Sequence, residues 1–454
     1  MTVIIIGAGE VGYHIADTLS KEGSDVIVID KNEEHLQNVA ENLDVQTLLG
    51  SGSSPDILKK ARMSQAQMLV AVTDSDETNM IACLIASAQS KVPIRVARIR
   101  NPELGNDLIF NKNQLNIDLC INPELEAVNH VMNLLDYPGS SEIFDFAGGR
   151  IKLVGFVIDE GCVVAGQRLV ELREMYADGK VLITSIFRGE KHIVPSGNST
   201  LQANDYVFAV TDSTEVKKLL RFFGKNTDPP KRIMIIGGGD TGLMLAEAIE
   251  KKGLSAKIIE KRKDRCEFLA SRLNKTIIFH GNGTSHELLK QENIQETDVF
   301  IAVTNDEEAN ILGALLAKQM GAKKVLSLIR RVDYIPIVSK VGIDGVINPR
   351  NAAISKILHF IRKGKIISAT PLRGEKAEAF EFIALETSDI TNQPFKDMRF
   401  PKGTIVGAIV RGEEIIIPDG DTDIGPGDNV IIFTPREAVA QVEKFLTVKL
   451  EYFG

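Results

Sequence analysis

Short, almost uninterrupted apolar runs alternate along this chain with longer segments whose apolar residues recur at helical spacing. The first run, in "VIIIGAGEVG" at residues 3–12, breaks into a glycine-rich turn, and the second, "VIVIDK", ends in an acid. Apolar runs without polar alternation predict strands covered on both faces, and helical segments between them predict right-handed crossovers. The expected unit is a doubly wound parallel α/β sheet of Rossmann type.

The pattern is written twice. "IMIIGGGDTG", from residue 233, repeats the opening, with Gly237, Gly239 and Gly242 opposite Gly7, Gly9 and Gly12. Asp30 and Glu260 each fall 21 residues beyond the middle glycine of their turn. The parallel continues through "LLGSGSSPDIL" and "IFHGNGTSHELL", "LVAVTDSDETNMIA" and "VFIAVTNDEEANIL", and "LNIDLCINPELEAV" and "VGIDGVINPRNAAI". Each half therefore predicts six strands alternating with helices. Behind each unit come short strands with Pro/Gly/Asp turns, matched between "HIVPSGNSTLQANDYVFAV" and "IIIPDGDTDIGPGDNVIIF", which predict a small β-rich α+β domain. The expected division is a Rossmann-like domain over 1–135, a β-rich domain over 142–224, a linker at 225–231 ("GKNTDPPK" spans it), a second Rossmann-like domain over 232–362 and a second β-rich domain over 366–454.

Composition narrows the function classes. With 53 Lys plus Arg against 61 Asp plus Glu the net charge is -8, and no long basic tract interleaved with aromatics occurs, which disfavours a nucleic-acid partner. Cys83, Cys120, Cys162 and Cys266 lie far apart with no metal spacing, as expected of reduced thiols in a cytosolic protein. The first strand starts at Thr2 or Val3, leaving no room for a signal peptide, and no apolar run approaches the ~18 to 20 residues of a membrane helix. Work at a membrane is expected to go through a partner, without direct insertion.

The turns carry the candidate chemistry. In GxGxxG the first glycine makes the tight turn, the second lets backbone approach a pyrophosphate, and the third packs helix on strand. Phosphates then rest on the helix N-terminus, where amides and dipole favour negative charge. Asp30 and Glu260 are placed to accept hydrogen bonds from ribose hydroxyls; a solvated acid at a strand end is the plainer alternative. Thr73 and Asp74, with Thr304 and Asn305 in the repeat, end the fourth strands at the switch point, where they face the crevice, cap the next helix, or both. For "GSGSS" and "GNGTS" capping and a tight turn are expected, with Asn282 placed to meet an adenine edge. Arg98, in the strand "RVARIR", needs an anion, either a bound phosphate or an internal carboxylate such as Asp74 or Glu77. Leu328 stands opposite it in the repeat, so the second pocket is expected to bind a different nucleotide or the same one more weakly. His14, like the six other histidines, shows no metal spacing and reads as a packed or surface residue. Asp419, Asp421 and Asp423 in "PDGDTD" read as a charged turn before a cation site.

"GAGEVG", "VIVID", "AVTDSDETN" and "VARIRNPE", in this tandem arrangement over essentially the whole chain, resemble the RCK (also called KTN) family of potassium-transport regulators. The resemblance implies a non-enzymatic cytosolic subunit, peripheral at the inner face of the membrane. It further implies a homotetrameric ring beneath a membrane potassium channel or transporter of the TrkH type, with NAD(H) and ATP or ADP as ligands. By motif match the first pocket takes Gly7, Ala8, Gly9, Glu10, Val11 and Gly12 at the pyrophosphate, Asp30 at the ribose, and Thr73, Asp74 and Arg98 around phosphates or a second nucleoside. The second takes Gly237, Gly239, Asp240, Thr241, Gly242, Glu260, Thr304 and Asn305. The alternative is an NAD-dependent oxidoreductase, which would need a substrate pocket and a proton donor or metal beside the nicotinamide; neither is evident in the sequence.

Overall fold

A computed structural model describes residues 1–101, 116–176, 181–349 and 368–442 together with 354, 357 and 360, apart from 22, 190, 332, 333, 373–375, 387–389, 392, 393, 399 and 440. Its four sheets reproduce the duplication read from the sequence. The first holds β1 (Thr2–Ile6), β2 (Asp25–Asp30), β3 (Gln46–Leu49), β4 (Met68–Ala71), β5 (Ile94–Arg98) and β6 (Leu119–Ile121), in the order β3-β2-β1-β4-β5-β6. All five pairings are parallel. The order reverses between β1 and β4, which makes the crevice at their carboxyl ends the topological switch point.

Burial explains the uninterrupted apolar runs. Val3 and Ile5 belong to one core cluster and Ile4 and Ile6 to the other, so β1 is covered on both faces. Helix α1 (Glu10–Lys21) buries Gly12, Ile15, Ala16 and Leu19, the stripe that its spacing predicts. Late-chain residues complete the first of these clusters: Ile357 and Phe360 are buried in it and Ile354 packs against it. By compactness Met1–Ala127 and Asn348–Ile361 form one unit, while Val128–Ile347 and Arg362–Gly454 form another. The helix that follows β6, Pro123–Asp136, is divided between them.

Within the second unit, five antiparallel strands, β7 (Glu142–Phe146), β8 (Ile151–Val157), β9 (Val181–Arg188), β10 (Lys191–Ile193) and β11 (Tyr206–Asp212), run in the order β10-β9-β11-β8-β7. A second parallel sheet follows, β12 (Ile233–Ile236), β13 (Ala256–Glu260), β14 (Ile277–His280), β15 (Val299–Ala302), β16 (Lys324–Leu328) and β17 (Gly345–Ile347), with the strand order of the first. The last sheet, β18 (Ser368–Leu372), β19 (Ala377–Ile383), β20 (Ile405–Arg411), β21 (Glu414–Ile416) and β22 (Asn429–Pro435), repeats the topology of β7–β11.

The two antiparallel sheets share one core, in which Phe146, Phe187 and Phe208 meet Ala379, Ile431 and Phe433. Each sheet carries a buried acid paired with an arginine. Asp205 accepts from Arg188 Nε and Nη2 at 2.8 Å each, and Asp428 accepts from Arg411 Nη2 at 2.8 Å. The first antiparallel sheet is followed by the helix Val216–Phe222, which buries Val216, Leu219 and Leu220.

Candidate functional site

Each glycine turn is shaped by a requirement that its residues alone meet. Gly7 and Gly237 sit at φ 104° and 98°, in the left-handed region that favours glycine. A Cβ on Gly12 would lie 1.8 Å from Gly7 O, and one on Gly242 would lie 2.0 Å from Gly237 O, so the third glycine is required by helix-on-strand contact. Around a Cβ on Gly9 or Gly239 there is nothing within 4 Å. The middle glycine therefore faces open space.

The first intrahelical bonds run from Tyr13 N to Gly9 O at 2.9 Å and from Leu243 N to Gly239 O at 2.9 Å. Helix geometry gives the amides before them, those of Glu10, Val11 and Gly12 and of Asp240, Thr241 and Gly242, no intrahelical acceptor. The strand-end acid braces the turn in both repeats. Ala8 N donates to Asp30 Oδ2 at 2.5 Å and Gly238 N to Glu260 Oε2 at 2.7 Å. The other oxygen accepts from Asn32 N at 2.8 Å and from Arg262 N at 2.8 Å, respectively. Asp30 and Glu260 thus join the glycine turn to the start of the next helix, and each oxygen keeps a further lone pair.

Across the switch point, Thr73 and Thr304 face a partner that the sequence reading missed. Asn79 Oδ1 accepts from Thr73 N at 3.0 Å and Oγ1 at 2.7 Å, while its Nδ2 donates to Thr73 O and, at 2.9 Å, to Arg98 O. Asn310 repeats the arrangement with Thr304 and Leu328. Both asparagines are fully buried. They rivet the end of the fourth strand to that of the fifth, and the shared signal was an Asn six residues after each Thr. The helix caps are instead Ser75, which accepts from Thr78 N, and Asp306, which accepts from Ala309 N.

The backbone carbonyl of Asp74 accepts from the Arg100 guanidinium, and that of Asn305 accepts from Arg330 Nη1 at 3.2 Å. Asp76 accepts from Arg100 N and Asn101 N, as Glu307 does from Arg330 N and Arg331 N. Glu77, through its own backbone N–H and the Ser75 hydroxyl, is held below the usual carboxylate range.

The internal carboxylate that meets Arg98 is Glu124, at 3.1 Å from Nη2, in place of the Asp74 or Glu77 considered from sequence. Register explains it: Arg98 lies beside Ile121 on β6, and Glu124 follows three residues later in the first turn of the helix Pro123–Asp136. Leu328, beside Ile347 in the same register, is buried in the core. The second cleft has a cation elsewhere, also missed from sequence. Arg265, five residues past Glu260 where the first repeat has His35, donates from Nε to Gly238 O at 2.7 Å and from Nη2 to Asp240 Oδ1 at 2.9 Å.

Asn282 spends its Oδ1 on Thr284 N and Oγ1 within its own turn, and Ser285 caps the following helix. In the acidic turn, Asp419 accepts from Thr422, Asp421 pairs with Lys396 and Asp423 with Arg411. Among the described residues no group of three His, Cys, Asp or Glu side chains is arranged to hold a metal ion, and no helix is long and apolar enough to cross a membrane. Burial pushes the Cys83 thiol up to about 12, leaving it a packed residue without thiolate character.

With this geometry in place, comparison with known proteins is specific. The TrkA-N domain family matches residues 3–123 and 233–349, and the TrkA-C domain family matches 153–224 and 379–447. The Trk system potassium uptake protein TrkA of Halomonas elongata is 36% identical over the full length of both chains. That of Vibrio alginolyticus is 38% identical over 98% of each. Among solved structures, the GsuK channel bound to NAD superposes with a TM-score of 0.62 at 16% identity, covering 98% of this chain and 78% of that one, a likeness of fold.

Proposed function

Starting from the fact that the chain belongs to the Trk system potassium uptake protein TrkA family, we propose that it is a nucleotide-binding regulatory subunit that gates a membrane potassium channel or transporter of the TrkH type. The observation that carries the reading is the pair of open glycine turns, each braced by a strand-end acid at a topological switch point. NAD(H), ATP and ADP are the proposed ligands. The helix N-termini suit their phosphates and the spare lone pairs of Asp30 and Glu260 suit ribose hydroxyls. NAD is also the ligand of the GsuK channel structure that shares the fold.

The proposed site is made of Gly7, Ala8, Gly9, Glu10, Val11, Gly12, Asp30, Thr73, Asp74 and Arg98 in the first repeat. In the second it is made of Gly237, Gly239, Asp240, Thr241, Gly242, Glu260, Thr304 and Asn305. The domain limits proposed from the sequence go with it. The subunit acts in the cytoplasm as a homotetrameric ring held at the membrane by its partner. It is not an enzyme on this reading: the ligand is held and released unchanged. Control requires only that a nucleotide prefer one conformation; a preference of about 1.4 kcal/mol per site shifts a two-state equilibrium roughly tenfold. The oxidoreductase alternative draws no support from the relatives or the fold.

The test is calorimetric titration of the purified chain with NADH, NAD, ATP and ADP, with the mass of the assembly measured in each state. It is paired with potassium flux through the co-purified membrane partner. Binding at the turns and ligand-dependent flux are expected. Silence toward all four ligands, nucleotide-independent flux, or sustained oxidation of NADH with hydroxy acids or aldehydes would overturn the proposal.

A further inference from the structure

The duplication supplies an internal control for surface chemistry. Residues 31–45 and 261–275 hold the same place in the two repeats, each beginning directly after the strand-end acid. Each contains a helix, Glu33–Asn42 or Lys263–Arg272, and the two helices bury equivalent positions, Leu36 and Val39 in one, Cys266 and Leu269 in the other. The fold therefore asks the same of both segments, yet their net charges are opposite. The first holds Lys31 against Glu33, Glu34, Glu41 and Asp44, a net of -3. The second holds Lys261, Arg262, Lys263, Arg265, Arg272 and Lys275 against Asp264 and Glu267, a net of +4.

Part of that positive charge is unspent. Arg262 pairs with Asp264 at 3.1 Å, Arg265 with Asp240 at 2.9 Å and Arg272 with Glu247 at 3.8 Å. Lys261, Lys263 and Lys275 are exposed, and among the described residues their ammonium groups have no carboxylate partner. Between them stands Phe268, 43% exposed, alone among the described phenylalanines in being so, with the Arg265 guanidinium 4.8 Å from its ring centre. The first repeat has Asn38 at that position. A nucleotide in the second cleft does not account for the whole set. The helix is about 15 Å long, and Arg272 and Lys275 lie toward its far end from the glycine turn.

We propose that this face of the second repeat is a docking surface for an anionic lipid bilayer, which the subunit touches directly in addition to its membrane partner. Clustered lysines and arginines around an exposed aromatic ring match the chemistry of such a bilayer: the cations are drawn to its negative surface and the ring settles at headgroup depth. The contact is electrostatic and needs no insertion. Lysine is depleted from protein–protein interfaces, so three free ammonium groups suit a lipid surface better than a second copy of this chain. The chain as a whole, with its net charge of -8, is repelled by an anionic bilayer. Attachment must therefore come from a local patch, and the acidic counterpart at residues 31–45 cannot supply it.

The test is co-sedimentation of the purified full chain, without its membrane partner, with vesicles of phosphatidylcholine alone and of phosphatidylcholine mixed with phosphatidylglycerol, at low and at high salt. Wild type is expected to bind the phosphatidylglycerol vesicles at low salt, to release them at high salt, and to ignore pure phosphatidylcholine. The variant carrying Lys261→Gln, Lys263→Gln and Lys275→Gln is expected to lose at least about tenfold in affinity, since each cation near an anionic surface is worth about fivefold. Lys263→Glu, which places there the residue type of Glu33, should weaken binding in the same direction. All three positions are exposed, so the fold is kept, which thermal melting checks. No binding to either vesicle, equal binding to both, or undiminished binding by the glutamine variant overturns the proposal. If that variant instead dissociates in mass measurements, or loses ATP affinity, with vesicle binding intact, the patch serves a second copy or the cleft and the proposal falls. The vesicle assay contains neither nucleotide nor membrane partner, so its failure leaves the regulatory reading standing.

Discussion

Alanine at the middle and at the third glycine of one turn separates what the ligand needs from what the fold needs. At Gly12 the added carbon would sit 1.8 Å from Gly7 O, where real contacts stay beyond about 3.0 Å, so helix and strand must part by about 1.2 Å. The obstacle is backbone and cannot rotate aside. Overpacking of this kind costs about 1 to 3 kcal/mol, and the upper end applies; the better helix propensity of alanine returns about 1 kcal/mol. A net loss of about 2 kcal/mol lowers the unfolding midpoint of the first unit by roughly 4 to 8 °C.

At Gly9 the added carbon meets nothing within 4 Å, and the φ angle lies outside the left-handed region. The small capping loss and the stiffer unfolded chain nearly cancel, so stability should stay within about 0.5 kcal/mol. That carbon nevertheless stands where a pyrophosphate must approach, and nucleotide affinity at the first cleft should fall at least about tenfold, or 1.4 kcal/mol. Thermal melting read beside calorimetric titration separates the two effects. Gly9→Ala with undiminished affinity refutes the idea that backbone must meet a phosphate there. Gly12→Ala with the midpoint of wild type refutes the packing argument.

Other outcomes follow from single side chains. Asn79→Ala leaves the backbone groups of Thr73 and the carbonyl of Arg98 short of partners, and should cost about 2 to 4 kcal/mol in urea unfolding while weakening nucleotide binding at the first cleft. Asp205→Ala removes a fully buried acid from the partly exposed Arg188, with an expected loss of about 2 to 3 kcal/mol by the same measurement. Lys324, whose ammonium donates to Pro138 O at 2.9 Å and Ser140 O at 2.6 Å, is brought down to about 8 by burial. Between pH 8 and 10.5 the unfolded chain then holds more protons than the folded one, so stability from this group rises with pH across that window and is flat below it. Urea midpoints at pH 7.5 and 9.5 should show wild type gaining about 1 to 2 kcal/mol on Lys324→Met; an unchanged difference would refute the assignment.

The doubled α/β architecture was legible because strand runs, glycine spacing and the 21-residue interval to each acid recur in register. The bracing of the turns by Asp30 and Glu260 was only partly so: spacing puts an acid at the end of each second strand, but whether its oxygens hold the turn depends on distances the sequence does not carry. Asn79 and Asn310 look like ordinary polar positions on amphipathic helices, and only the closeness of two strand ends makes them rivets. Glu124 stands 26 residues from Arg98, and the register of β5 against β6 brings the two together. Arg265 at a helix start reads as a solvated charge until the glycine turn is folded beneath it. Nothing in the sequence marks Ile357 and Phe360 as cover for the first sheet, which ends more than two hundred residues before them.

That last point bears on biosynthesis. Because Ile357 and Phe360 complete the core beneath the first sheet, the amino-terminal sheet emerges from the ribosome long before its final cover does. A growing chain must keep the uncovered part of that greasy surface guarded from the end of the first sheet at Ile121 until Phe360 has been made. A gene fragment that stops at the internal linker would never gain that last cover, a burden that falls on chaperones.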